Sequence, residues 1–185
     1  MTSCEFCVLN ARVSLIFVCK MDPWGHLLEQ LLVLRNTSTV IVGIGNTLRG
    51  DDGIGPLACS GLSGKVSARV IDAAATPENY IQKIIDLKPQ NLLIIDALDF
   101  GASPGTTRIF QTQQLSSFAL STHTLSPRLF VEMVTKSLDV NVLFLGIQPA
   151  STVFGQGLSH QVAGALGGIC RVLIQVFPAA GPGAK

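Results

Sequence analysis

The side chains best placed for chemistry in this 185-residue chain are a few acids at glycine-rich or strand-ending positions and one loop histidine. Residues Gly43–Gly55 read GIGNTLRGDDGIG, with Asp51 and Asp52 side by side. Three chemistries compete for such a loop. A dinucleotide loop of the GxGxxG type fits Gly43 and Gly45, but position 48 is Leu48 where the third glycine belongs. A phosphate-binding loop fits the spacing of Gly45 and Gly50, but Asp51 and Asp52 replace the Lys-Ser/Thr pair and would repel a phosphate. A metal or acid–base loop fits both features. Glycines allow tight turning, and carboxylates near a helix N-terminus are stabilised there. The simpler role for either acid is helix capping, and one can cap while the other points into a crevice.

Further along, Asp96 follows the apolar run Asn91–Ile95, and Asp99 comes shortly after. A carboxylate leaving a buried strand needs a partner, because desolvating an unpaired charge is costly. Its simpler role is to bond the turn 97–101. His123 lies in the polar stretch STHT ahead of a helix, and its simpler role is that of an ordinary loop histidine. His26 and His160 are weaker candidates. Two carboxylates and an imidazole together suit a borderline divalent metal such as nickel or zinc. A serine-nucleophile elbow and an HExxH zinc motif are both missing.

An alternating series of strands and helices must position these residues. Short apolar runs predict strands at Val40–Gly45, Ala68–Asp72, Asn91–Ile95, Thr107–Phe110 and Asn141–Ile147. Helices are expected at His26–Leu34, within Gly53–Leu62, at Pro77–Asp86 with Thr76 as its cap, at Ser126–Leu138, and at Ser159–Val176 with Ser159 as its cap. The strand at Thr107 lacks a preceding crossover helix, so it is expected to be antiparallel and at an edge. Repeated strand–helix–strand units imply a mostly parallel sheet covered on both faces, with ligands bound at the C-terminal strand ends. Residues 1–38 differ in character from the rest and read as an N-terminal extension or a misread start. Residues 39–177 read as the domain, and 178–185 as a flexible tail.

Composition narrows the function classes. Hydrophobic residues make up 48% and charged residues 14%, enough apolar material for a sizeable core and too little charge for disorder. The formal net charge of +1 gives no basic excess for nucleic acid. Five cysteines at scattered spacings argue against a disulfide framework and for a reducing, cytoplasmic setting. Cys4 and Cys7 form one CxxC pair, which without a second pair is insufficient for a zinc site. The apolar run Val13–Cys19 is too short to span a bilayer, so no membrane insertion is expected.

The motifs in combination resemble one family. Gly43–Gly55 (GIGNTLRGDDGIG), Ile71–Tyr80 (IDAAATPENY), Leu92–Gly101 (LLIIDALDFG), Thr122–His123 and Leu143–Pro149 (LFLGIQP) look like the landmarks of the NiFe-hydrogenase maturation endopeptidases, in the same order, across residues 39–177. That resemblance implies a three-layer αβα sandwich around a twisted, mostly parallel sheet of about five strands, of the phosphorylase/hydrolase-like kind. It implies that Asp52, Asp96 and His123 are the metal-facing and catalytic residues. It also implies a monomeric aspartyl-type endopeptidase whose partner is a hydrogenase large-subunit precursor carrying nickel, from which a C-terminal peptide is removed. The LFLGIQP segment is similar to the branch acting on membrane-associated, hydrogen-evolving or energy-converting hydrogenases. One departure is Ala73-Ala74, where relatives commonly carry Gly-Gly or Gly-Thr. Two other readings remain: a nucleotide-binding α/β module, and a non-catalytic chaperone for the hydrogenase tail.

Overall fold

A computed structural model describes residues 24–117 and 127–179. Its centre is a sheet of β1 (Thr39–Ile44), β2 (Arg69–Ala74), β3 (Asn91–Ala97), β4 (Thr107–Gln111) and β5 (Asn141–Ile147). The spatial order is β2-β1-β3-β5-β4. β1, β2, β3 and β5 run parallel, and β4 pairs antiparallel with β5 at the edge. The edge placement follows from the connection: residues 98–106 hold no crossover helix, so the chain turns back instead of crossing over.

Helices α1 (Gly25–Leu31), α2 (Ile54–Leu62), α3 (Ile81–Leu87), α4 (Pro127–Thr135) and α5 (His160–Val176) complete three layers. Strand alternation divides the core. Ile41, Leu93, Ile95, Leu145 and Ile147 pack with α1, α2 and α5. Val40, Val42, Leu92, Ile94 and Phe144 pack with Ile84 of α3 and with Phe130 and Val134 of α4. β1 and β3 are buried along their whole length, which is why both read as continuous apolar runs.

Several boundaries differ from those read in the sequence. β3 continues through Ala97, so Asp96 lies inside the strand and not beyond it. Pro77–Tyr80 forms a tight 3-10 turn ahead of α3, and Thr76 makes no side-chain cap. α4 has Pro127 at its start as expected but stops at Thr135, short of Leu138; the expected first residue, Ser126, lies outside the described residues. Ser159 does cap α5, accepting from the Val162 amide at 3.4 Å. In the stretch read as an extension, Leu27, Leu28, Leu31 and Leu34 are all buried in the core beside α5. At the other end, Phe177 is buried and Pro178 forms an isolated bridge with Val66.

The sheet order creates a switch point. From β1 the chain goes one way to β2, then crosses back over β1 to β3. The helices that follow β1 and β2 lie on opposite faces, which makes the C-terminal ends of β1 and β3 the place where sheets of this kind bind ligands.

Candidate functional site

The loop leaving β1 is shaped by close backbone approaches. Gly45 has φ +139°, and a side chain there would strike the Asp52 carbonyl. At Gly55 a Cβ would lie 2.6 Å from the Ile95 carbonyl oxygen and closer still to that of Ile44. α2 can therefore start directly against the ends of β1 and β3 only because position 55 has no side chain. The spacing of GIGNTLRGDDGIG is thus a packing requirement that sets its acids at the switch point.

Asp52 is 1% exposed, and its Oδ2 accepts from the Asn46 amide at 2.9 Å. Asn46 Oδ1 in turn accepts from the Leu48 amide at 2.9 Å, so the loop's turn and the carboxylate are fixed together. Asp96 is fully buried and has the parity of Leu92 and Ile94, which places it on the α3/α4 side of the sheet. Ile95 pairs with Gly43 of β1, and Asp96 pairs with Gly146 of β5. At Gly146 a Cβ would lie 2.8 Å from atoms of both Leu98 and Phe110, so the position beside Asp96 takes no larger residue. Asp52 and Asp96 thus stand at the ends of adjacent strands, on either side of the switch point.

His123 belongs to residues 118–126, which lie outside the described residues. Among the described residues, no three His, Cys, Asp or Glu side chains gather closely enough to hold a metal ion. Any three-ligand set built on Asp52 and Asp96 would draw its third member from outside the described residues, where His123, the residue named on sequence, lies. The other histidines, His26 on α1 and His160 on α5, are exposed.

Asp51 behaves differently from the expected helix cap. Neither the 3-10 turn Gly50–Gly53 nor α2 has a side-chain cap. Instead the buried Asp51 carboxylate reaches across to the β5–α5 connection. It accepts from the amides of Ala150 (2.7 Å), Ser151 (3.1 Å) and Ser159 (2.6 Å), and from Ser159 Oγ (3.0 Å). A carboxylate receiving that many donors has its desolvation offset by charge-assisted bonds, whereas a cap would satisfy only one.

The sequence reading missed Gln148. This buried amide ends β5 and holds the turn after β3: Oε1 accepts from Phe100 N (2.9 Å) and Ala102 N (3.1 Å), and Nε2 donates to Asp99 Oδ1 (3.0 Å). The bond from Gln148, with that from Gly101 N, holds the Asp99 carboxyl below its ordinary range. The turn 97–101 is therefore braced by Gln148 and Asp99, the role assigned on sequence to Asp96. A buried Gln closing the apolar run LFLGI was the available signal. On the far side of β1, burial and then the charge of Asp72 push the Cys59 thiol up to about 12, which removes it as a nucleophile near neutral pH.

The comparisons agree with this geometry. The sequence profile of the hydrogenase maturation proteases (HycI) matches residues 61–176. The hydrogenase 3 maturation protease of Escherichia coli K12 is 36% identical over 113 residues, covering 60% of this chain and 72% of that protein. A crystal structure of the NiFe hydrogenase maturation protease HycI from Thermococcus kodakarensis KOD1 superposes with TM-score 0.72 at 28% identity, over 81% of this chain and 97% of that one. The solution structure of the endopeptidase HycI from Escherichia coli gives 0.69 at 29% identity, over 80% and 99%. The fold and these relatives define a proteolytic α/β enzyme, with two buried acids at its switch point. This chain belongs to the hydrogenase maturation protease family.

Proposed function

We propose that this endopeptidase removes the C-terminal peptide of a NiFe-hydrogenase large-subunit precursor, with Asp52, Asp96 and His123 facing nickel that the precursor carries. The observation that carries this reading is the pair of buried carboxylates at adjacent strand ends, beside the crevice where ligands of such sheets bind. Two carboxylates and an imidazole match the donor preferences of nickel. The nickel is part of the substrate. A divalent ion polarises a carbonyl or lowers the pKa of a bound water, and a carboxylate of this aspartyl-type site can serve as general base for that water. The protein's own contribution is to hold the Asp52 carboxylate through the Asn46 amide and the Asp96 backbone through its strand pairing, so that both residues are placed before the precursor arrives.

The setting proposed is a monomer in the cytoplasm. Among the described residues no helix is long and apolar enough to cross a membrane, and both described cysteines, Cys59 and Cys170, are free thiols.

The deciding experiment incubates the protein with nickel-loaded and nickel-free precursor and reads the products by mass. The expected result is loss of the C-terminal peptide from the loaded form alone. Asp52→Asn, Asp96→Asn and His123→Ala should each abolish that loss in folded protein; Asn replaces Asp because both carboxylates are buried. Equal cleavage of nickel-free precursor would remove the metal from the reading. Binding without cleavage would favour the chaperone alternative.

A further inference from the structure

The loop that carries Asp52 is joined to residues 150–159 by more than the Asp51 clasp. Asp51 N donates to Ser151 O (2.9 Å), Gly50 N to Gln156 O (3.0 Å) and Gly155 N to Leu48 O (2.8 Å). A Cβ at Gly50 would lie 2.6 Å from the Ser151 carbonyl oxygen, so the two segments are in backbone contact. This braced pair holds apolar side chains out into solvent: Leu48 is 58% exposed, Val153 55% and Phe154 69%. None of the three belongs to the core. A fixed loop that presents aliphatic and aromatic groups to water gains nothing for the fold, but it is pre-organised for a partner that covers them.

We propose that Leu48, Val153 and Phe154 form a ledge on which an apolar part of the hydrogenase large-subunit precursor seats, holding the segment to be cut against Asp52 and Asp96. The inference rests on the reading of those two acids as the reaction site. The precursor is the occupant because the ledge is continuous with that site. Leu48 lies in the turn that Asn46 ties to Asp52, and Asp51, the neighbour of Asp52, is the residue that clasps the second segment. The buried Asp51 carboxylate is then a positioning residue that fixes ledge and site as one piece.

The test is the kinetics of nickel-loaded precursor processing by Phe154→Ser and by the triple variant Leu48→Ser/Val153→Ser/Phe154→Ser. The control is Val33→Ser, equally exposed but in the 3-10 turn that leads into β1 at the opposite strand ends. Loss of buried apolar contact should raise KM by about tenfold or more, with kcat held within about twofold, the pattern of lost uniform binding. The control should match the unaltered protein, and thermal midpoints should not move because the altered side chains are exposed. If the triple variant unfolds, Phe154→Ser alone decides. An unchanged KM overturns the ledge, as does a fall in kcat at constant KM. So does a shift in oligomeric state with normal processing, which would assign the surface to a second copy of the chain. Asp52→Asn is measured alongside. Should it process normally while the ledge variants still raise KM, the site assignment fails and the ledge stands.

Discussion

The two adjacent acids of the first loop differ in what their carboxylates touch, and this separates their roles. Asp51 accepts four bonds from residues 150–159, three on Oδ2 and one on Oδ1, so its carboxylate is turned toward that connection. Asp52 accepts one amide bond from its own loop at the switch point. Asp51→Ala removes the shared acceptor of the amides of Ala150, Ser151 and Ser159, which are exposed or half-buried and so partly rescued by water, and each lost hydrogen bond to a charged group is worth about 1.5–3 kcal/mol before that rescue. The expected outcome is a denaturant midpoint lowered by several kcal/mol equivalent, well beyond the loss of a simple cap, with weakened processing in whatever remains folded. Asp52→Asn should instead abolish processing while the midpoint changes little. A stable, fully active Asp51→Ala would contradict the clasp. The sequence placed both acids in one glycine-rich loop and singled out Asp52 by resemblance, but it could not show what Asp51 binds. Asp51's partners lie about a hundred residues away, and only the fold brings them together.

At the scale of elements, what could be read in advance follows local periodicity, and what was missed follows tertiary contact. The continuous apolar runs of β1 and β3, the edge position of β4 and the Ser159 cap of α5 depend on neighbours in sequence, and they were legible. The extension of β3 past Asp96 was not, because a carboxylate normally ends an apolar run, and here the pairing Asp96–Gly146 and Ala97–Ile147 carries the strand onward. The end of β2 shows the same tension. Ala74 has φ +46° beside the irregular pairing of Ile44, and its amide donates to Asp72 Oδ1 at 3.0 Å. A left-handed alanine costs about 1–2 kcal/mol. Glycine would relieve that strain but raise the unfolded-state entropy by about 0.4–1 kcal/mol equivalent. The difference favours Ala74→Gly by about 0.5 kcal/mol, since the Asp72 bond to the backbone survives the change. Chemical denaturation checks this, and a lower midpoint for Ala74→Gly would show that the strain is relaxed some other way.

For the whole molecule, the question is where the folding unit begins. Residues 1–38 read as an appendage because they lack the strand–helix alternation that marks the remainder. Yet α1 packs on α5, with Leu27, Leu28 and Leu31 buried, and Leu34 follows in the turn toward β1. Trp24 closes over Gly168, where any side chain on α5 would collide with the indole. Arg35 also donates to the Gln175 carbonyl at 2.7 Å, fixing the end of the turn to the end of α5. A short helix of this kind is invisible to alternation because its apolar face is matched to one partner helix far along the chain. We therefore propose that the folding unit starts near Trp24, ahead of the boundary at residue 39. Deleting residues 1–20 should leave both thermal midpoint and precursor processing nearly unchanged. Deleting 1–36 strips four buried leucines from the α5 face. Truncating even one buried leucine in a core commonly costs about 2–5 kcal/mol, and whole domains are stable by only about 5–15 kcal/mol, so this shorter chain should fail to fold cooperatively at 25 °C. Circular dichroism melts of the two truncations, with processing measured on the same samples, separate the possibilities. A cooperative, active protein beginning at Thr37 would return the boundary to the first strand.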